Sequence, residues 1–126
     1  MKKILFFLLA VTFGFVAQAQ SKAEIKFVTE EIDYGTIKQG DDGLRVFEFK
    51  NTGKAPLVIS GANSSCGCTV PSYPKDPIAP GATGKIEVKY DTNRVGAIAK
   101  TIMVTSNATD TPNIALRIKG KVEANN

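Results

Sequence analysis

A chain of 126 residues with 43% hydrophobic side chains has enough apolar surface for one domain core and is too short for two comfortable ones. Its 16 Lys and Arg against 12 Asp and Glu give +4; setting aside Lys2 and Lys3, which fall in a segment read below as removed, leaves 14 against 12, a net +2, too weak for a phosphate-neutralising nucleic-acid surface. The chain has no His, which excludes imidazole acid/base chemistry, His-based triads and His-ligated zinc or haem.

The first segment reads as an address. Met1-Lys2-Lys3 is positive, Ile4 to Val16 is apolar except for Thr12 and Gly14, and Ala17-Gln18-Ala19 offers small residues around a larger one. This is the pattern of a cleavable secretory signal peptide over residues 1–19. As a helix the apolar stretch reaches about 20 Å, short of the roughly 30 Å hydrocarbon core of a bilayer, so it is not read as a membrane anchor. No Cys follows it closely, which disfavours a lipid anchor. The mature chain is expected to begin at Gln20 and form a single domain over residues 20–126. The short signal suggests a bacterium, with export to the periplasm or beyond and no membrane span after processing.

Beyond Gln20 the chain reads as strands separated by turns. Ile25, Phe27, Ile32, Tyr34 and Ile37 supply one or two strands, ended by the turn Gln39-Gly40-Asp41-Asp42-Gly43. Arg45 to Lys50 alternates, with Phe47 and Phe49 facing inward, and Asn51-Thr52-Gly53-Lys54 turns the chain again. Pro56 to Ser60 brings Leu57 and Ile59. A turn-rich region, Pro71 to Gly84, contains Ile78-Ala79-Pro80-Gly81-Ala82, whose Pro-Gly centre fits a type II turn. Lys85 to Tyr90 alternates most clearly, with Ile86, Val88 and Tyr90 on one face and charges on the other. After the turn Asp91 to Gly96, Lys100 to Ser106 offers Ile102 and Val104. The turn Asn107 to Asn113 then leads to Ile114, Leu116 and Ile118. The predicted core is Phe47, Leu57, Ile59, Ile86, Val88, Ile102, Leu116 and Ile118. No window of eleven residues carries a helical repeat.

Six or seven strands at this spacing predict an all-β fold, an immunoglobulin-like antiparallel sandwich of about seven strands, with a small barrel as the alternative. Short polar turns favour antiparallel pairing, because parallel neighbours need long crossovers.

The stretches Asn51-Thr52-Gly53-Lys54-Ala55-Pro56-Leu57, Ser65-Cys66-Gly67-Cys68-Thr69-Val70-Pro71, Ile78-Ala79-Pro80-Gly81 and Lys100-Thr101-Ile102 to Asn107 together resemble the bacterial domain-of-unknown-function family 1573. The resemblance covers roughly residues 24–122. It implies a relationship to Hydin-like and major-sperm-protein-like immunoglobulin domains, a seven-stranded sandwich and an adhesive or scaffolding role, and it implies no known activity.

One constellation carries possible chemistry, Cys66-Gly67-Cys68. On a regular strand its Cα atoms would stand about 6.6 Å apart, at the upper end of disulfide geometry, so a bond needs a bent backbone that Gly67 could permit. A bond there closes a tiny loop and stabilises little. Four readings stay open, in this order: buried small fillers; a local or intermolecular disulfide; a soft-metal site in which two thiolates hold Cu(I); and thiol redox catalysis. The metal reading lacks a nearby Met or His, and the redox reading lacks the two-residue spacing at a helix N-terminus.

Glu30-Glu31 and Asp41-Asp42 read as solvated turn or strand-end residues, since neighbours on a strand face opposite ways. Lys85, Lys89, Arg94, Lys100 and Arg117 read as a mixed solvated surface, with a basic patch as the alternative. Asn63-Ser64-Ser65 and Asn107-Ala108-Thr109 match the glycosylation sequon, and their Asn residues are read as serving turns. No catalytic residue and no cofactor are expected. The favoured function is a non-enzymatic binding or scaffolding module whose partner is another envelope protein or a cell-wall component; the alternative is thiol-dependent redox or copper handling at Cys66 and Cys68.

Overall fold

Alternation of apolar and polar residues resolves into eight strands in the computed structural model, which describes residues 22–125. The signal peptide expected over residues 1–19 and its cleavage point lie outside the described residues. The strands are β1 (Ile25–Phe27), β2 (Glu31–Lys38), β3 (Leu44–Asn51), β4 (Ile59–Ser64), β5 (Thr69–Ser72), β6 (Thr83–Tyr90), β7 (Gly96–Ser106) and β8 (Asn113–Glu123). They form two four-stranded sheets, ordered β1-β3-β6-β5 and β2-β8-β7-β4. The architecture is therefore a sandwich and not a barrel.

The inner faces meet in a core that includes all eight predicted residues, from Phe47, Leu57, Ile86, Val88, Ile102 and Leu116 at 0% exposure to Ile59 at 4%. The β3–β6 pairing shows how alternation builds it. Phe47 stands opposite Ile86 on the inner side, and Glu48 opposite Lys85 on the outer side. Phe27 of β1 extends this layer, with its ring 5.3 Å from that of Phe49 in a tilted arrangement. The Pro-Gly turn forms as the sequence predicts: Ala82 N donates to Ala79 O at 2.9 Å, and Gly81 takes the positive φ of 82° that a type II turn requires.

The structure departs from the sequence reading in the strand count and in one pairing. The eighth strand, β5, lies partly in the turn-rich region and contains Pro71; its position at a sheet edge, paired only to β6, tolerates a residue without an N–H. The pair β2–β8 is parallel, unlike its neighbours. Short turns impose antiparallel pairing only on strands that follow one another, and five strands separate β2 from β8 along the chain. β2 bulges between Asp33 and Thr36, where Gly35 has a φ of 69° and donates its N–H to Asp33 Oδ1 at 2.8 Å. Gly120 of β8 faces that bulge: a Cβ there would lie 2.8 Å from Gly35 O, so only Gly allows the strands to approach.

Asn51, fully buried, ties three segments together. Its Nδ2 donates to Ala55 O at 2.8 Å and Ile78 O at 2.9 Å, and its Oδ1 accepts from Gly53 N at 2.9 Å. Leu57 and Ile78 meet beside it in an isolated antiparallel bridge. A buried amide is compatible with the core because its hydrogen-bonding groups have partners.

Candidate functional site

The Cys66-Gly67-Cys68 stretch sits at one end of the sandwich, in the turn between β4 and β5. Thr69 N donates to Cys66 O at 3.1 Å, closing a β-turn over Cys66–Thr69. This turn draws the two Cα atoms to 5.1 Å, closer than an extended strand allows, and the two sulfurs are bonded to each other. The strand-based spacing of the sequence reading therefore does not hold here. Gly67 has no positive φ, and a Cβ on it would meet nothing within 4 Å, so the bend needs no left-handed glycine.

The two sulfurs have different surroundings. Cys68 is 5% exposed, and its Sγ lies 3.5 Å from Thr69 Oγ1. Cys66 is half-buried, and its Sγ accepts from Cys68 N at 3.1 Å and from Arg94 Nη1 at 3.8 Å. Arg94 is brought there by the β6–β7 loop, which is braced on both sides. Asp91 N donates to Cys68 O at 2.8 Å, Gly40 N donates to Thr92 O at 3.2 Å, and Gln39 Nε2 donates to Asn93 O at 3.1 Å. Within the loop, Asp91 Oδ1 accepts from Asn93 N at 3.0 Å.

Tyr34 anchors the same end. Its hydroxyl donates to Gly43 O at 2.7 Å, the Arg45 guanidinium lies 4.2 Å above its ring, and the Tyr90 ring meets it edge-on at 6.3 Å. Burial raises its phenol above the ordinary 10.0, an effect opposed by Arg45 and reinforced by Asp42 and Tyr90. Beside Cys68, a shallow cleft of about 230 Å³ is lined by Gly67, Cys68, Val70, Lys89, Tyr90 and Asp91. Val70 stands 61% exposed at its rim.

The remaining candidates fall into structural roles. Asp41 Oδ2 accepts from Lys38 N at 2.9 Å and Asp42 Oδ1 from Leu44 N at 2.9 Å, so both carboxylates hold the β2–β3 turn. Glu31 pairs with Lys119 at 3.2 Å on the exposed surface. The five basic residues do not converge: Lys85 and Lys89 lie on β6 of one sheet, Lys100 and Arg117 on β7 and β8 of the other, and Arg94 lies at the cysteine turn. Asn107 serves its turn, accepting from Val58 N at 2.8 Å and donating to Pro56 O at 3.2 Å. Asn63 lies in β4 and not in a turn. While the sulfurs are bonded to each other neither is a thiolate ligand, and among the described residues no three Cys, Asp or Glu side chains gather as a metal site. No described helix is long and apolar enough to cross a membrane. Arg94 beside Cys66 is the contact the sequence reading missed. The two are 28 positions apart, and no local pattern links them.

Comparison with known proteins places the fold. Residues 25–122 match the family described as Protein of unknown function (DUF1573). No curated protein sequence matches the chain. A protein of unknown function from Porphyromonas gingivalis W83 superposes with a TM-score of 0.72 at 17% identity, over 82% of this chain and 49% of its own. This chain thus spans about half the length of that protein. The ASH/PapD-like domain 7 of human CEP192 superposes with a TM-score of 0.68 at 10% identity, over 94% of this chain and 99% of its own. The YadV chaperone gives a TM-score of 0.54 at 14% identity, over 82% and 53%.

Proposed function

We propose that this chain, which belongs to the family of proteins of unknown function DUF1573, is an exported, non-enzymatic binding module of a bacterial envelope that holds another protein or a wall component through its strand edges and end loops. The observation that carries this reading is the pair of open sheets. Among the described residues, β1 and β5 at the margins of one sheet and β2 and β4 at the margins of the other each pair with a single strand, leaving one side of each without a strand partner. At the β5 edge Val70 is 61% exposed. The PapD-like fold of the CEP192 domain and the likeness to the YadV chaperone support a binding scaffold. The residue inventory supports it too: the chain has no His, and the Asp41 and Asp42 carboxylates of the β2–β3 turn are engaged by backbone N–H groups.

Photo-crosslinking in the producing cell tests the reading. A crosslinker at Val70 is expected to trap an envelope component, and one at Thr101, on the outer face of β7 in the other sheet, is expected to trap none. Equal trapping at both positions, or trapping at neither, contradicts binding at the β5 edge.

A further inference from the structure

We infer that the Cys66–Cys68 bridge is a thiol-exchange site, at which an external thiol attacks Cys66 Sγ and Arg94 stabilises the thiolate that Cys66 becomes on reduction. Three independent observations converge on it. The bridge is asymmetric, with Cys66 half-buried and Cys68 5% exposed, so an incoming thiol reaches Cys66 first. Residue 67 carries no side chain, and even a Cβ there would meet nothing within 4 Å, so the backbone that joins the two cysteines borders open space. The donors at Cys66 Sγ, a guanidinium at 3.8 Å and a backbone N–H at 3.1 Å, favour negative charge on that sulfur. The ring closed by the bond spans three residues, so opening it releases little chain and leaves the sheets intact.

A thiolate RS⁻ bonds to Cys66 Sγ as the Cys66–Cys68 bond breaks, and the electron pair leaves on Cys68 Sγ. That sulfur takes a proton from solvent, with the Thr69 hydroxyl 3.5 Å away as hydrogen-bond partner. A second RS⁻ attacks the R sulfur of the mixed disulfide, RS–SR forms, and Cys66 departs as a thiolate facing Arg94. In sum, one protein disulfide and two RSH give the Cys68 thiol, the Cys66 thiolate, RSSR and one proton released to solvent, with two electrons passing to the protein. The thiol donor is either a small monothiol or a protein dithiol.

The test treats the purified oxidised protein with reduced glutathione in one arm and a reduced thioredoxin-type protein in the other, followed by alkylation and peptide mapping. The expected intermediate with glutathione carries the adduct on Cys66 and the alkyl group on Cys68. Faster reduction by the protein dithiol at equal thiol concentration assigns the site to protein donors, and equal or faster reduction by glutathione assigns it to small thiols. For the fully reduced protein, Arg94→Gln is expected to slow Cys66 alkylation several-fold at neutral pH and to displace its pH profile upward. Arg94→Lys should restore most of the rate. A bridge that neither reductant opens, an adduct on Cys68, or an alkylation profile unchanged by Arg94→Gln overturns the inference.

Discussion

Single residues carry two different burdens here. Asn51 replaces missing backbone partners inside the sandwich: without its amide, Ala55 O and Gly53 N lose the partners seen at 2.8 and 2.9 Å. Asn51→Leu should therefore lower stability by about 1–3 kcal/mol, read by urea unfolding, although it adds apolar surface. Tyr34 bears on pH. Its phenol titrates above 10.0 in the folded state, so the folded protein holds that proton more tightly than the unfolded chain does. The resulting stability is fully present below pH 10.0 and is lost as pH rises through the raised folded value. Tyr34→Phe should accordingly show a shallower alkaline decline in thermal stability than the parent, at the cost of about 1 kcal/mol at neutral pH for the lost bond to Gly43 O. A steeper decline would place the phenol's proton preference the other way. Cys66 and Cys68 contribute little to folding: by chain entropy a three-residue ring is worth only about 1–2 kcal/mol, so the double Ser variant should keep the fold.

At the scale of elements, the core-facing positions were legible because alternation is local. Lys85 to Tyr90 states in six residues which side chains face inward, and β6 follows it with Ile86, Val88 and Tyr90 buried. Leu116 on β8 was placed inside by the same argument. Leu116→Ala should cost about 2–5 kcal/mol in chemical denaturation, and a variant as stable as the parent would contradict the facing of that strand. Strand partners were not legible, since pairing depends on residues far apart in sequence. Nothing in Glu31 to Lys38 announces a parallel neighbour in β8, and nothing local marks Gly120 as the point where the β2 bulge presses against it. Gly120→Ala tests that contact. It should destabilise the sandwich and raise hydrogen exchange in β2 more than in β3, whereas uniform exchange would separate Gly120 from the bulge. The short β5 was obscured by Pro71, a residue whose strand role becomes intelligible only once its edge position is known.

For the molecule as a whole, composition and motif carried the family and the sandwich but not the assembly of its end loops. The Cys66-Gly67-Cys68 motif was visible in sequence, and its chemistry was not. The turn that shortens the Cα separation to 5.1 Å is fixed by the Thr69 N–H reaching Cys66 O, and Arg94 arrives from a loop 28 residues away. We propose a single account in which an exported binding module carries an asymmetric disulfide, its Cys66 half-buried and its Cys68 5% exposed. Its central claim, that the chain works outside the cytoplasm with its sulfurs bonded, is tested most directly by the intact mass of the protein taken from the envelope fraction with thiols alkylated at lysis and no reductant. The predicted mass is that of a chain beginning at Gln20, two hydrogens lighter than its dithiol form and free of alkyl groups. A chain that still begins at Met1, or one that carries two alkyl groups, would contradict it.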